Sequence, residues 1–187
     1  MKRIVISMAL GTLLVFLIFS SLSIAASQSI RMAYCDTEES IAKTYMFKYI
    51  LEDMVGLKVD LHKVSVKEMW KGLAEGRYDA SLSVVLPEQK TYYAKYRNRV
   101  IDLGPNFMSQ KRKVLTVTRL GLLDSRPRLA KFLRHYCLCA SKLESAVALV
   151  KGGEISKQEA DKWIKENEKW VRNMLGLCED IRIEDWG

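Results

Sequence analysis

The sequence predicts an α/β fold in which a mostly parallel sheet is flanked by helices and completed by further helices at the C-terminal end. Three observations carry this. From Ser29 to Leu86, strand-like runs alternate with amphipathic helical stretches in the order β-α-β-α-β. Ala80–Leu86 is short and mostly apolar, as expected of a strand covered on both faces. From Pro127 onward the pattern is helical throughout. Right-handed crossovers between the first three strands make them parallel, which is half of a doubly wound fold.

The first strand is Ser29 to Tyr34. Asp36 and Glu39 then form a D-x-x-E cap for a helix whose apolar face is Ala42, Tyr45, Met46, Tyr49 and Ile50, ended by Gly56. Leu57 to Val64 alternates apolar and polar residues, a second strand with His62 on its polar phase. Ser65 and Glu68 make a capping box for a helix with Val66, Met69, Trp70 and Leu73 on one face, and Gly76 supplies its left-handed stop. After the Ala80 strand, Pro87 suits the first position of a helix to Asn98 that carries Tyr92, Tyr93 and Tyr96. Arg99 to Leu103 is a short strand, Gly104-Pro105-Asn106 an exit, and Lys113 to Arg119 another strand. Pro127 starts a helix to about Leu138, Ser141 and Glu144 box the next, and Ser156 and Glu159 box the last. That last helix aligns Ala160, Trp163, Ile164, Asn167, Trp170, Val171, Met174 and Leu175 until Gly176, and the seven-residue spacing of the two Trp places them in the core.

The 187 residues suffice for one domain with its own core, and 49% hydrophobic with 28% charged residues marks a globular chain. Lys2 and Arg3 precede an apolar run from Ile4 to Ile18, and Ser23-Ile24-Ala25 offers small residues for cleavage. Residues 1–25 therefore read as a secretory signal peptide, residues 27–176 as the single α/β lobe and residues 177–187 as a loose acidic tail. The expected address is periplasmic or otherwise exported, with an uncleaved membrane anchor as the lesser reading. The net charge of +8 is uneven. Between Lys111 and Arg134 stand Lys111, Arg112, Lys113, Arg119, Arg126, Arg128, Lys131 and Arg134 against Asp124 alone. A solvated surface is the plain reading, and contact with anionic lipid headgroups or an acidic partner is the sharper one. An exported chain with no recognisable nucleic-acid motif gives no reason to expect nucleic acid as a partner.

Cys35, Cys137, Cys139 and Cys178 remain after export, where disulfides form. Cys137 and Cys139 are two apart on an expected helix and face different sides, so they do not both serve one partner; a bridge from this pair to Cys35 or Cys178 is expected, and the pairing stays open. His135-Tyr136-Cys137-Leu138-Cys139 lacks the spacing of a zinc site, so no metal or other cofactor is expected. There is no nucleophile–His–acid pattern, no P-loop and no G-x-G-x-x-G, and the two His are thin material for acid–base chemistry. Catalysis is not expected.

Leu73-Ala74-Glu75-Gly76-Arg77-Tyr78-Asp79, then Leu86-Pro87, Tyr92-Tyr93 and Val100-Ile101-Asp102-Leu103-Gly104-Pro105-Asn106, resemble the glycine betaine/proline-betaine (quaternary amine) binding proteins of ABC importers. Pro127 to Leu133 and the Gly153 to Val171 pattern are similar to that family's C-terminal section. The resemblance implies a periplasmic-binding-protein-like lobe, a quaternary-amine ligand and an ABC permease in the inner membrane. Such proteins are two-lobed, whereas here only a few residues separate Asn106 from the returning strand at Lys113, so a single lobe is expected. The implied ligand residues are Tyr34, Asp36, Thr37, Val85, Tyr92 and Tyr93, with Val85 standing where the family commonly has Trp. A quaternary ammonium wants aromatic faces around it, and a carboxylate wants helix-start amides. Two function classes follow. One is a solute-binding component, with a homodimer as the way to rebuild a cleft. The other is a degenerate lobe that binds a protein or a membrane surface and no longer takes betaine.

Overall fold

Ile30–Tyr34 (β1) lies beside Val59–Lys63 (β2) in parallel, with Ile30 opposite Val59 and Tyr34 opposite Lys63. In this computed structural model, which describes residues 29–109 and 111–176, three more strands complete one sheet. They are Ala80–Leu86 (β3), Val100–Met108 (β4) and Lys113–Arg119 (β5), and the sheet order is β2-β1-β3-β5-β4. β3 is parallel to β1, while β5 runs antiparallel to both β3 and β4. Four strands thus point one way and β5 alone is reversed, which is the mostly parallel sheet expected. The expected signal peptide and acidic tail lie outside the described residues, as does Cys178.

Helices cover both faces. Glu38–Met54 (α1) packs on one face with the C-terminal helices, and Val66–Ala74 (α2) and Lys90–Tyr96 (α3) pack on the other. The C-terminal elements are Leu122–Ser125 (α4), Pro127–His135 (α5), Ala140–Val147 (α6), Lys157–Glu166 (α7) and Glu168–Gly176 (α8). The first core joins Ile30, Met32, Leu82, Phe47, Phe132 and Trp163, and the second joins Ala33, Met69, Trp70, Val84 and Leu115. α1 is buried well beyond one stripe, because Ile41, Lys43, Phe47 and Leu51 join the face read from the sequence. It is the central helix, with the sheet on one side and α6 and α7 on others.

Several local expectations change. Thr37, not Asp36, caps α1, accepting from Ser40 N–H at 3.3 Å, while Asp36 pairs with Lys63 at 2.8 Å. Ser65 caps α2 as expected, but Glu68 turns to Arg77 instead of closing the box. Pro87 follows a cis peptide bond in a turn, and α3 begins only at Lys90. Gly104-Pro105-Asn106 is no exit, because β4 continues through it to Met108 and returns as β5. Pro105 is tolerated there because β4 is an edge strand, and Gly104 takes φ 105° at a register shift. α5 stops at His135, so Cys137 and Cys139 are not on a helix, and Cys139 rather than Ser141 precedes α6. The final helix is two, broken at Asn167, whose Nδ2 donates to Trp163 O at 2.8 Å. Trp163 and Trp170 still meet edge to face in the core.

β3 changes the side it shows. Ala80 and Leu82 face the first core, yet Val84 faces the second. An unbroken strand would send all three the same way. The register against β5 shifts between Ser81 and Val84, and that bulge turns Ser83 toward Ser40 of α1.

At the opposite end of the sheet, Asp79 fastens β1 to β5. Its side chain is 5% exposed and accepts from Arg31 Nε and Nη2 at 3.0 Å each, from Arg31 N–H at 2.9 Å, and from Arg119 Nε at 2.7 Å. Burial alone pushes the carboxyl's pKa up, but the Arg31 and Arg119 bonds outweigh it and hold it below the ordinary value. Asp79→Ala should cost about 2–3 kcal/mol in denaturant melts, less than a fully buried pair because Arg31 reaches solvent. A depressed carboxyl stabilises above its unfolded pKa, so that contribution should fade as pH falls from about 4 downward. An unshifted midpoint for the variant would refute the clasp.

Candidate functional site

The carboxyl ends of β1 and β3, the start of α1 and the far end of the β4–β5 hairpin enclose a cavity of about 370 Å³. Ligands of open α/β sheets settle at this end of the strands. Its walls are Cys35, Thr37, Glu38, Glu39, Ser40, Lys43, Val66, Ser83, Val85, Gln89, Arg112 and Val114.

The bulge in β3 builds the floor. It breaks the ladder at Leu82 and Ser83, and side-chain amides meet both carbonyls: Asn106 Nδ2 donates to Leu82 O at 3.1 Å and Gln89 Nε2 to Ser83 O at 3.0 Å. Gln89 also accepts from Trp70 Nε1 at 2.9 Å. Ser83 Oγ meets Ser40 Oγ, which accepts from Cys35 N–H at 3.1 Å. Asn106 sits at the matching register shift in β4, its Nδ2 also donating to Thr116 Oγ1 at 3.1 Å. Its Oδ1 is left to accept from Lys43 Nζ, at 3.1 Å.

Lys43 is 2% exposed. Burial pulls its pKa from 10.5 to about 8, with Arg112 lowering it further and Glu39 and Cys137 opposing. Arg112 crosses the mouth and donates to both oxygens of Glu39, at 3.2 and 3.0 Å. Its Nε is buried without a hydrogen-bond partner, 3.9 Å from Glu88.

Thr37 and Val85 of the residues expected from the sequence lie in this wall. Tyr34 is buried, edge-on to Tyr45 at 6.0 Å, and Asp36 points to Lys63. Tyr92 packs against the second core. Tyr93 lines a separate groove with Leu86 and Pro87, and its hydroxyl donates to Asp102 at 2.9 Å. The structure therefore does not bring the three Tyr together, and the cavity wall has no aromatic ring. Cys35 is buried and Cys137 and Cys139 are exposed, and all three are thiols. Lys43, Ser83 and Gln89 carry no signal of their own in the sequence, while Asn106 stands in the family-like motif and Arg112 in the basic stretch without either marking a cavity wall. Nothing in the periodicity separates Lys43 from a solvated helix lysine, and only the burial of α1 on several sides does so.

Residues 28–111 match the family model described as the substrate binding domain of ABC-type glycine betaine transport system. That is the family the sequence resembles. Lactococcal OpuAC, in its closed-liganded conformation complexed with glycine betaine, superposes with a TM-score of 0.70 at 14% identity, covering 78% of this chain and 98% of that one. The glycine betaine/L-proline-binding protein ProX from Borrelia burgdorferi gives 0.71 at 14%, over 81% and 100%. An ABC-transporter choline binding protein in complex with choline gives 0.73 at 13%, over 85% and 94%. At these identities the shared property is the fold. The family match spans every cavity residue except Arg112 and Val114.

Among the described residues no helix is long and apolar enough to cross a membrane, and no cluster of His, Cys, Asp and Glu could hold a metal ion. What the cavity offers is binding chemistry: a buried ammonium, hydroxyls and an amide at the base, with carboxylates at the mouth.

The Lys43 pKa has a stability consequence. Below about pH 8 both folded and unfolded chains hold this proton, and the cost of the buried ammonium is complete. Between about 8 and 10.5 the unfolded chain binds it more, so folding becomes more favourable as pH rises. The stability of the wild type relative to Lys43→Met should therefore climb from pH 7 to 9.5, approaching ~1.4 kcal/mol per pH unit above pH 8. A flat difference across that range would place Lys43 in solvent.

Proposed function

We propose that this chain is the exported solute-binding component of an ABC importer for glycine betaine or a related quaternary amine, and that it binds without catalysis. The observation that carries this is the coincidence of two things. The segment that matches the glycine betaine family supplies all of the cavity wall at the carboxyl ends of the strands except Arg112 and Val114. A concave site with a few convergent polar groups is what a small-solute binder presents. The permease partner and the exported address follow from the same reading.

A second reading has an observation of its own. No aromatic ring lines the cavity, and the Arg112–Glu39 pair spans its mouth. Both favour a lobe whose surface meets a protein or an anionic membrane. α5 adds exposed Lys131 and Arg134 opposite its buried Leu129, Phe132 and Leu133.

Isothermal titration of the mature chain with glycine betaine, proline betaine, choline and carnitine separates the two. Saturable heat with at least one is expected, and sizing with and without that ligand shows whether two copies share it. Silence across the panel from folded protein would overturn the carrier reading and favour the second.

A further inference from the structure

An ammonium has three N–H donors. Among the described residues, Lys43 Nζ has one hydrogen-bond partner, the neutral Asn106 amide at 3.1 Å, and it makes no ion pair. Asn106 is held in place by Leu82 O and Thr116 Oγ1, so it presents its oxygen and nothing more. Glu39, the acid that acts most strongly on Lys43, gives both oxygens to Arg112. Burying a cation with no bonded anion is costly, and an anion that reaches it in the cavity recovers that cost through charge-assisted hydrogen bonds. Lys43 lines the cavity and has donors to spare. At the mouth, exposed Glu38 is in no ion pair among the described residues.

The geometry points to Lys43 as the residue that receives a ligand's carboxylate, so that the cavity selects carboxylate-bearing zwitterions over cations that lack the group. The inference rests on the solute-binding reading and names the ligand class of that same site. The carboxylate goes inward to Lys43 and the cationic end outward to Glu38. Betaine-type molecules fit this polarity, and choline, with a hydroxyl in place of the carboxylate, does not. Because Lys43 loses its proton near pH 8, carboxylate affinity falls as pH rises through that value. The other groups facing it are Glu39 on its own helix, Arg112 from the hairpin and Cys137 after α5.

The test is calorimetry of glycine betaine and choline against the wild type and Lys43→Met at pH 7, with the wild-type betaine titration repeated up to pH 9. Betaine should bind about ten- to a hundredfold tighter than choline, the worth of a charge-assisted hydrogen bond. Lys43→Met should erase that preference by weakening betaine and relieving the charge repulsion on choline, and wild-type betaine affinity should drop between pH 7 and 9. If the variant does not fold, the wild-type ligand ratio and pH series decide alone. Equal affinity for both ligands, choline binding alone, or a preference that survives in folded Lys43→Met would overturn the assignment and leave the solute-binding reading intact. Neither ligand binding to folded wild type would bring down both.

Discussion

Where β3 shifts register against β5, Leu82 and Ser83 have no residue opposite them in β5, and a buried carbonyl without a donor costs about 1–3 kcal/mol. The fold answers with two side-chain amides, Asn106 from β4 and Gln89 from the turn before α3. Each answer fixes something else. Gln89 must present its oxygen to Trp70, which anchors the second core, and Asn106 must present its oxygen to Lys43. An interruption in one strand thus sets the orientation of the only buried lysine among the described residues.

The same interruption decides what the cavity is made of. It puts Ser83 and Val85 on the α1 side and sends Val84 to the other core. A regular β3 would have closed this end of the sheet with apolar side chains. The bulge in β4 is its counterpart, since without the extra residue Asn106 would not turn inward toward Leu82. Two local irregularities, facing each other across β5, account for a polar floor in an otherwise apolar layer.

This explains which parts were legible in the sequence. The β-α-β-α-β order, β5 to the residue, the Ser65 and Ser156 caps and the glycine stops follow from period and turn chemistry, which are local. The sequence ends β4 at Leu103 because Gly104 and Pro105 read locally as turn residues, whereas an edge strand accommodates them, and edge position is a property of the sheet. Asp36 and Thr37 are both good caps, and the choice fell to Thr37 because Lys63 of the neighbouring strand takes Asp36. Of the six expected ligand residues, Thr37 and Val85 line the cavity, Asp36 pairs with Lys63, and tertiary packing commits the rings of Tyr34, Tyr92 and Tyr93 elsewhere. Lys43 was silent for the converse reason: burial around a central helix is not written in that helix's own period.

A cavity wall without rings would hold a zwitterion differently from an aromatic cage. An aromatic cage grips the quaternary ammonium, whose methyl groups give no hydrogen bonds, and leaves the carboxylate as the secondary handle. In this chain Trp70 stacks on Tyr96, Tyr34 meets Tyr45, and Phe47 meets Tyr136, all within the cores. With the rings spent on stability, the strongest directional interaction left to a ligand is at its anionic end, against an ammonium that folding has already desolvated. Under the role proposed for Lys43, the order of the handles is reversed. A site built this way discriminates by the acid group and tolerates variation at the nitrogen, whereas a caged site does the opposite.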